Sequence, residues 1–221
     1  MKQALIVYGG WDGHYPQEIS EVFQEILEAE GFQVKISQDL SAYDDGERLK
    51  QMDIIVPHWT MGQIDAEKVK NVCEAVAGGV GLCGCHGGMC DAFRESTEWQ
   101  FMTGAQWVAH PGNDQVEYEV KLCPDSIFTK GLQDFSLKSE QYYMHVDPAV
   151  TVHAITRFPV ADGPHAANGT VDMPVVFTKK WGKGKIFYTS LGHTHKVFEI
   201  PQARELMRRG FVWAAERSNE T

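Results

Sequence analysis

The sequence lacks any long apolar run. No stretch of the 221 residues approaches the roughly 20 consecutive apolar residues that a helix needs to cross a bilayer. The first apolar run, "ALIVYGG" (4–10), ends in a glycine pair and a polar loop, where a signal peptide would need a longer apolar core. We therefore expect no membrane contact and a cytoplasmic location.

Basic residues are also scarce. The chain has 20 Lys and Arg against 30 Asp and Glu, which gives a formal net charge of −10. Binding to nucleic acid or to an acidic membrane surface requires clustered cationic side chains. We therefore expect neither nucleic acid nor a membrane surface as a partner. The sequence leaves the formation of a homo-oligomer open.

A disulfide framework is missing as well. The five cysteines are an odd number, and Cys83, Cys85 and Cys90 lie within eight residues. A zinc knuckle that adds His86 is the alternative, but the spacing C-x-C-H-x3-C is not one of the usual C-x2–4-C pairs. We interpret the three cysteines as small core residues.

Strand and helix patterns alternate through the first ninety residues, which is typical of a parallel sheet with crossover helices. The predicted strands are 4–10, 32–37, 52–59, 80–85, 116–123, 151–158, 175–181 and 185–193, the last two as a hairpin. The predicted helices are 17–30, 65–79 and 200–216. The length suits one domain. We expect a single α/β domain over 1–221, a three-layer doubly wound fold with a mostly parallel sheet and helices on both faces.

Histidines follow the ends of several predicted strands. His14 comes after the first strand, His58 ends the third, and His193 and His195 follow the last. Ligands of doubly wound folds bind beyond the carboxyl ends of the strands. A site built from some of these histidines is therefore expected at that edge, whereas His153 and His165 are interpreted as structural.

The fourth strand leads into Gly84-Cys85-His86-Gly87-Gly88. This has the form of a nucleophile elbow, in which glycines permit a tight turn from strand to helix. The central residue of such a turn stands at the edge of the sheet, and here it is His86 instead of serine or cysteine.

The chain resembles the ThuA-like (trehalose utilisation) family, whose domain is similar to that of class I glutamine amidotransferases. The resemblance rests on the combination and order of several segments: "YGGWDGH" (8–14), "GGVGLCGCHGGMCDAF" (78–93), "TGAQWVAHPG" (103–112), "IFTKGLQDFSLKSEQYY" (127–143), "PVVFTKKWGKGKIFYTSLGH" (174–193) and "RGFVWAAE" (209–216). It implies a flavodoxin-like, amidotransferase-like fold and a role in the catabolism of disaccharides or glycosides, especially of 3-keto sugars. Amidotransferases carry a cysteine at the elbow and a His–Glu pair near the C-terminus, which His193 and Glu199 match only loosely. Because an imidazole cannot form the required thioester, we do not expect glutaminase activity.

The resemblance and the histidine pattern together nominate the site residues. The expected catalytic residues are His14, His86, His110, Glu140 and His193. The expected sugar contacts are Trp11, Asp12, Trp59, Tyr142 and His145. The expected ligands of a divalent metal, such as Zn²⁺ or Mn²⁺, are His86, His193 and His195.

These residues suit the chemistry of a keto-sugar. A 3-keto group acidifies the C2 proton, so that a base can remove it and expel the C1 substituent. A divalent metal could stabilise the enediolate. Two alternatives stay open, namely acid–base catalysis without a metal and a sugar-binding or regulatory module without catalysis.

Overall fold

The computed structural model describes residues 1–217, so the last four residues of the expected domain lie outside the described part. The strands are β1 (Lys2–Gly10), β2 (Phe32–Ser37), β3 (Ile54–Thr60), β4 (Gly81–Cys85), β5 (Ala105–Ala109), β6 (Val116–Leu122), β7 (Phe135–Ser139), β8 (Tyr143–Val146), β9 (Thr151–Phe158), β10 (Val171–Trp181) and β11 (Gly184–Thr189). The α-helices are α1 (Pro16–Ala29), α2 (Gly46–Lys50), α3 (Ala66–Ala77), α4 (His86–Cys90), α5 (Thr97–Thr103) and α6 (Pro201–Ala214).

Nine strands form one sheet in the order β2-β1-β3-β4-β11-β10-β9-β6-β7. The first five of these neighbours are parallel and form the larger part of the sheet. The other four extend it through antiparallel pairs. A separate antiparallel pair joins β5 to β8.

The alternation of side chains along the strands fills two cores. Ala4 and Ile6 of β1 belong to one apolar cluster, which holds the buried faces of α1 and α6. Leu5 and Val7 belong to the other, which holds the buried face of α3 and residues of α2 and α5. Helices therefore cover both faces of the sheet, and this confirms the predicted three-layer α/β class.

The predicted elements of the first ninety residues are confirmed, with shifts of two residues or fewer at their ends. The later strands 116–123, 151–158 and 175–181 are present, and β10 and β11 form the predicted hairpin. β10 already begins at Val171, four residues before the predicted strand. β5, β7, β8, α2 and α5 were not predicted. None of the helices within residues 1–217 is long and apolar enough to cross a bilayer.

The direction of β7 matters for the site. Four antiparallel steps separate β11 from β7, through β10, β9 and β6. An even number of reversals restores the direction, so β7 ends at the same edge as the parallel strands. The residue that follows β7 is Glu140, which therefore emerges beside the histidines at the strand ends.

Candidate functional site

Four side chains from distant parts of the sequence meet at the carboxyl edge of the sheet. His14 ends a short 3-10 turn after β1, His86 begins α4, His193 follows β11, and Glu140 lies between β7 and β8. The potential ligand atoms of these four residues all lie within 4.8 Å of one another. His14, His86 and Glu140 are buried, and His193 is partly exposed. We call these four residues the His/Glu cluster.

The carboxylate of Glu140 is the centre of this cluster. Its Oε2 atom lies 3.1 Å from His86 Nε2, 3.4 Å from His193 Nδ1 and 3.7 Å from His14 Nε2. Its Oε1 atom lies 3.7 Å from Nε2 of His110, a fourth histidine. The structure thus brings together all five residues that were predicted to be catalytic.

The elbow accounts for the position of His86. This residue has φ of 46°, in the left-handed region, and it is the first residue of α4 after β4. A Cβ atom on Gly88 would lie 2.2 Å from His58 Nδ1, and one on Gly87 would lie 2.7 Å from His14 Nδ1. Glycines at both positions therefore let the turn pack directly against two imidazoles.

Three contacts hold His86 in place, two through its ring and one through its backbone. Its Nδ1 lies 2.8 Å from the carbonyl oxygen of Ser190. Because a carbonyl only accepts, Nδ1 carries the proton and donates it. The ring stacks on Tyr142, with centroids 3.9 Å apart and planes at 26°. The hydroxyl of Tyr188 donates to the backbone carbonyl of His86 at 3.0 Å.

Burial and the neighbouring imidazoles shift the pKa values of His86 and Glu140. Burial lowers the pKa of His86 to about 4, although Glu140 acts in the opposite direction. Burial alone would raise the pKa of Glu140, but His14, His193 and His86 together hold that pKa well below its usual range. At neutral pH the carboxylate is therefore ionised and the ring of His86 is neutral.

In this charge state two hydrogen-bond acceptors point at each other. With the proton of His86 on Nδ1, the lone pair of Nε2 points at the ionised oxygen of Glu140 3.1 Å away. The Nδ1 atom of His193 is buried 3.4 Å from the same oxygen, without a hydrogen bond of good geometry among the described residues. A proton or a cation placed between these atoms would satisfy all three.

The donor set fits a divalent metal ion. Ligand bonds of about 2.1 Å in a tetrahedral site place neighbouring donors about 3.4 Å apart. The separations from Glu140 Oε2, 3.1 to 3.7 Å, bracket that value. Metal-binding histidines usually fix their second nitrogen by a hydrogen bond. His86 does so through Ser190, and His14 Nδ1 lies 2.9 Å from Thr60 Oγ1.

The predicted sugar contacts differ in how far they are exposed. Tyr142 is buried against His86, and Trp11 is 47% exposed, with its ring 4.8 Å from that of His14. Trp59 is half-buried and packs against the second apolar cluster. Asp12 is exposed at the start of the 3-10 turn that ends at His14. Their roles as sugar contacts stay predictions.

Three residues that the sequence analysis considered stand apart from the cluster. His195 is not among the four clustered residues, and its ring lies 5.7 Å from that of Tyr15. His145 is exposed on β8. Glu199 is exposed at the end of the 3-10 turn His195–Glu199, so Glu140 provides the carboxylate beside His193 instead.

His58 and the cysteines are not part of the His/Glu cluster. Burial lowers the pKa of His58 to about 3, and its Nδ1 lies 3.9 Å from Cys85 Sγ. Cys83 and Cys85 belong to the first apolar cluster and Cys90 to the second, as the interpretation of core cysteines predicted. All five cysteines are free.

Sequence reasoning missed several supporting residues. Thr60 contacts His14, and its position at the end of β3 was a usable signal. The hydroxyl of Tyr118 donates to the backbone carbonyl of Glu140 at 3.1 Å. A cavity of about 590 Å³ adjoins Glu140 and His193 and is also lined by Tyr15. Nothing in the sequence marked Tyr118 or Tyr15, because neither belongs to a recognisable motif.

The fold and the cluster together define a doubly wound α/β protein whose elbow carries a histidine in place of a nucleophile. Comparison with known families identifies it further. The profile of the ThuA family, described as trehalose utilisation, matches residues 3–214. The chain belongs to this family, and membership points to a role in sugar metabolism.

Solved structures show the same fold. A ThuA-like protein of Bacteroides uniformis superimposes with a TM-score of 0.74 at 21% identity, covering 96% of this chain and 91% of that one. A ThuA-like protein of Parabacteroides merdae gives a TM-score of 0.74 at 20% identity, covering 100% and 92%. A cold-adapted β-galactosidase of Rahnella gives 0.65 at 13% identity, where the similarity covers 100% of this chain but 32% of the enzyme. No curated protein sequence matches significantly.

Proposed function

We propose that this protein is a sugar-catabolic enzyme that uses the His/Glu cluster to act on a 3-keto-disaccharide or 3-keto-glycoside. The observation that carries the proposal is the carboxylate of Glu140, buried at the carboxyl edge of the sheet with four histidines around it. A buried charge surrounded by titratable groups costs stability, which a merely structural role would not require. Membership in the trehalose utilisation family supports a sugar as the substrate.

The histidines divide into a buried set and an accessible one. The side chain of His110 is 28% exposed and that of His193 is 15% exposed, against 1% for His86. His110 also faces Oε1 of Glu140, away from the oxygen that the other three contact. We therefore assign His110 as the base that meets the substrate, and Glu140 as the group that orients it and stabilises its charged form.

The reaction then proceeds in two steps. Nδ1 of His110, the ring nitrogen that does not face Glu140, takes the C2 proton of the 3-keto sugar, the C1–O bond breaks, and a C1–C2 double bond forms as the alcohol leaves with a proton from solvent. In the second step water adds its hydroxide to C1, and His110 returns the proton to C2. The net result is hydrolysis of the glycosidic bond without an oxidant.

His14, His86, Glu140 and His193 would hold a divalent metal. Such an ion supplies a Lewis acid for the negative charge that develops on the 3-keto oxygen. Without it, N–H groups of the site would have to stabilise the same charge.

The proposal is tested with protein purified without a histidine tag. We expect about one equivalent of a divalent metal by mass spectrometry. We also expect release of glucose from 3-keto-trehalose, or of the aglycone alcohol from a 3-keto-glucoside. Exhaustive chelation should abolish turnover, and the metal should restore it. Turnover that survives chelation would overturn the metal-assisted form. Saturable sugar binding without any turnover would favour a binding module instead.

A further inference from the structure

We infer that the cavity beside the His/Glu cluster receives the leaving group of the glycoside, and that this group is a second, uncharged sugar ring. The inference rests on the proposed function, because it takes Glu140 and His193 as parts of the reacting site. The inference extends the proposed function in two ways. It names the place where the enzyme recognises its substrate and the chemical class of the leaving group.

The cavity has the right place and size. Its volume is about 590 Å³, and it is lined by Glu140 and His193 together with residues of the loops after β1 and before β6. Sites for small molecules commonly measure about 300 to 1,000 Å³. The volume therefore accommodates a sugar ring while a second ring reaches the cluster.

Two exposed aromatic side chains line this cavity. Trp11 is 47% exposed and Tyr15 is 42% exposed, which is unusual for such large side chains. A Cβ atom on Gly13 would lie 2.3 Å from the ring of Trp11, so the indole rests directly on the loop backbone. Flat apolar surfaces of this kind suit the C–H face of a pyranose ring, which has polar edges and apolar faces.

The charges of the cavity are mixed. Lys138 and Lys196 line it, and so do Asp114 and Glu140. A phosphate group is recognised by cations that converge without a competing carboxylate. Sugar hydroxyls both donate and accept, so they match a set that contains both ammonium groups and carboxylates. The cavity therefore favours a neutral ring over a phosphorylated one.

Isothermal titration calorimetry of the purified protein with trehalose, glucose and trehalose 6-phosphate tests the inference. We expect trehalose to bind at least about tenfold more tightly than glucose and than the phosphate ester. The Trp11→Ala/Tyr15→Ala double variant should lose roughly that factor for trehalose and leave glucose within about twofold. Phe101→Ala is the control, because Phe101 is a 62% exposed aromatic residue on α5 outside the cavity. Metal content should be unchanged in the double variant and in Phe101→Ala.

Each outcome decides the question. Equal affinity for glucose and trehalose, tighter binding of the phosphate ester, absence of trehalose binding, or an unaffected double variant would overturn the inference. A failure of the proposed function gives a different result. A protein that prefers trehalose but turns over no keto-sugar would contradict the proposed reaction and still support the sugar-binding cavity. The His86→Asn variant separates the two, since it should keep the trehalose preference and lose turnover.

Discussion

Glu140 Oε2 lies 3.1 Å from His86 Nε2, whereas the other nitrogen of the same ring donates to the carbonyl of Ser190. The two contacts together leave the lone pair of Nε2 directed at an ionised carboxylate. Fifty-four residues separate the two side chains in sequence, and the elbow and the end of β7 bring them together. A charge that must be neutralised therefore lies at the centre of the cluster.

Replacement of His86 by asparagine tests the elbow. Asparagine tolerates the left-handed backbone that this position requires, so we expect the fold to persist with a melting temperature near that of the wild type. Turnover of a 3-keto-glucoside should fall by roughly 100-fold or more, because Asn does not replace the imidazole that would bind the metal. His165→Asn is the matched control, in a loop far from the cluster in sequence. Normal turnover by His86→Asn would show that the cluster is not the site.

Glu140→Gln removes the central charge with almost no change in shape. We expect bound metal and turnover to fall together, the latter by more than about 100-fold, because the amide cannot neutralise a cation or orient His110. Glu199→Gln is the control, since Glu199 is exposed and lies after His193 where an amidotransferase-like pair would place its carboxylate. Equal losses in both variants would contradict the central role of Glu140. Steady-state kinetics and metal analysis of both proteins provide the comparison.

The sequence predicted the parallel half of the fold well, because β1, β3 and β4 are apolar runs and α1 and α3 have clear helical periodicity. It missed β5, β7 and β8, which have only four or five residues and carry polar side chains such as Lys138 and His145. Strands this short are stabilised by pairing, and the sequence carries no signal for that.

The same limit applies to the site. His14, His86 and His193 follow parallel strands, so their meeting could be predicted from the strand ends. Glu140 could be nominated only from the family resemblance, because its place depends on four antiparallel steps that single-sequence patterns do not show. His195 was expected as a ligand because it follows the last predicted strand together with His193, but its ring lies 5.7 Å from that of Tyr15 and it is not among the four clustered residues.

A methyl group at Gly88 should destabilise the whole protein. The Cβ atom of Gly88→Ala would lie 2.2 Å from His58 Nδ1 and 2.8 Å from the Cα atom of His58, so backbone must move. We expect the free energy of unfolding to fall by about 3 kcal/mol or more. Gly78→Ala is the control, because its Cβ would come no closer than 3.3 Å to other atoms and its φ is −75°. Urea denaturation of both variants measures the difference, and equal stability would contradict the packing of the elbow.

Acid should destabilise the protein in part through His153, which lies outside the cluster. Its two ring nitrogens contact Ser126 Oγ at 2.9 Å and Thr178 Oγ1 at 2.8 Å, and burial lowers its pKa to about 4. The unfolded chain binds a proton near pH 6.5 and the folded chain does not. The stability from this group is therefore present above pH 6.5 and is lost as the pH falls toward 4.

The His153→Gln variant isolates that contribution. Glutamine can still hydrogen-bond to the two hydroxyls but takes up no proton in this range, so its unfolding free energy should depend less on pH. Each pH unit between the two pKa values is worth at most about 1.4 kcal/mol, so between pH 6.5 and 4.5 the wild type should lose about 1 to 2 kcal/mol more than the variant. His145→Gln, at an exposed position, should follow the wild type. Parallel curves for wild type and His153→Gln, measured by urea denaturation at several pH values, would show that His153 is protonated in the folded protein.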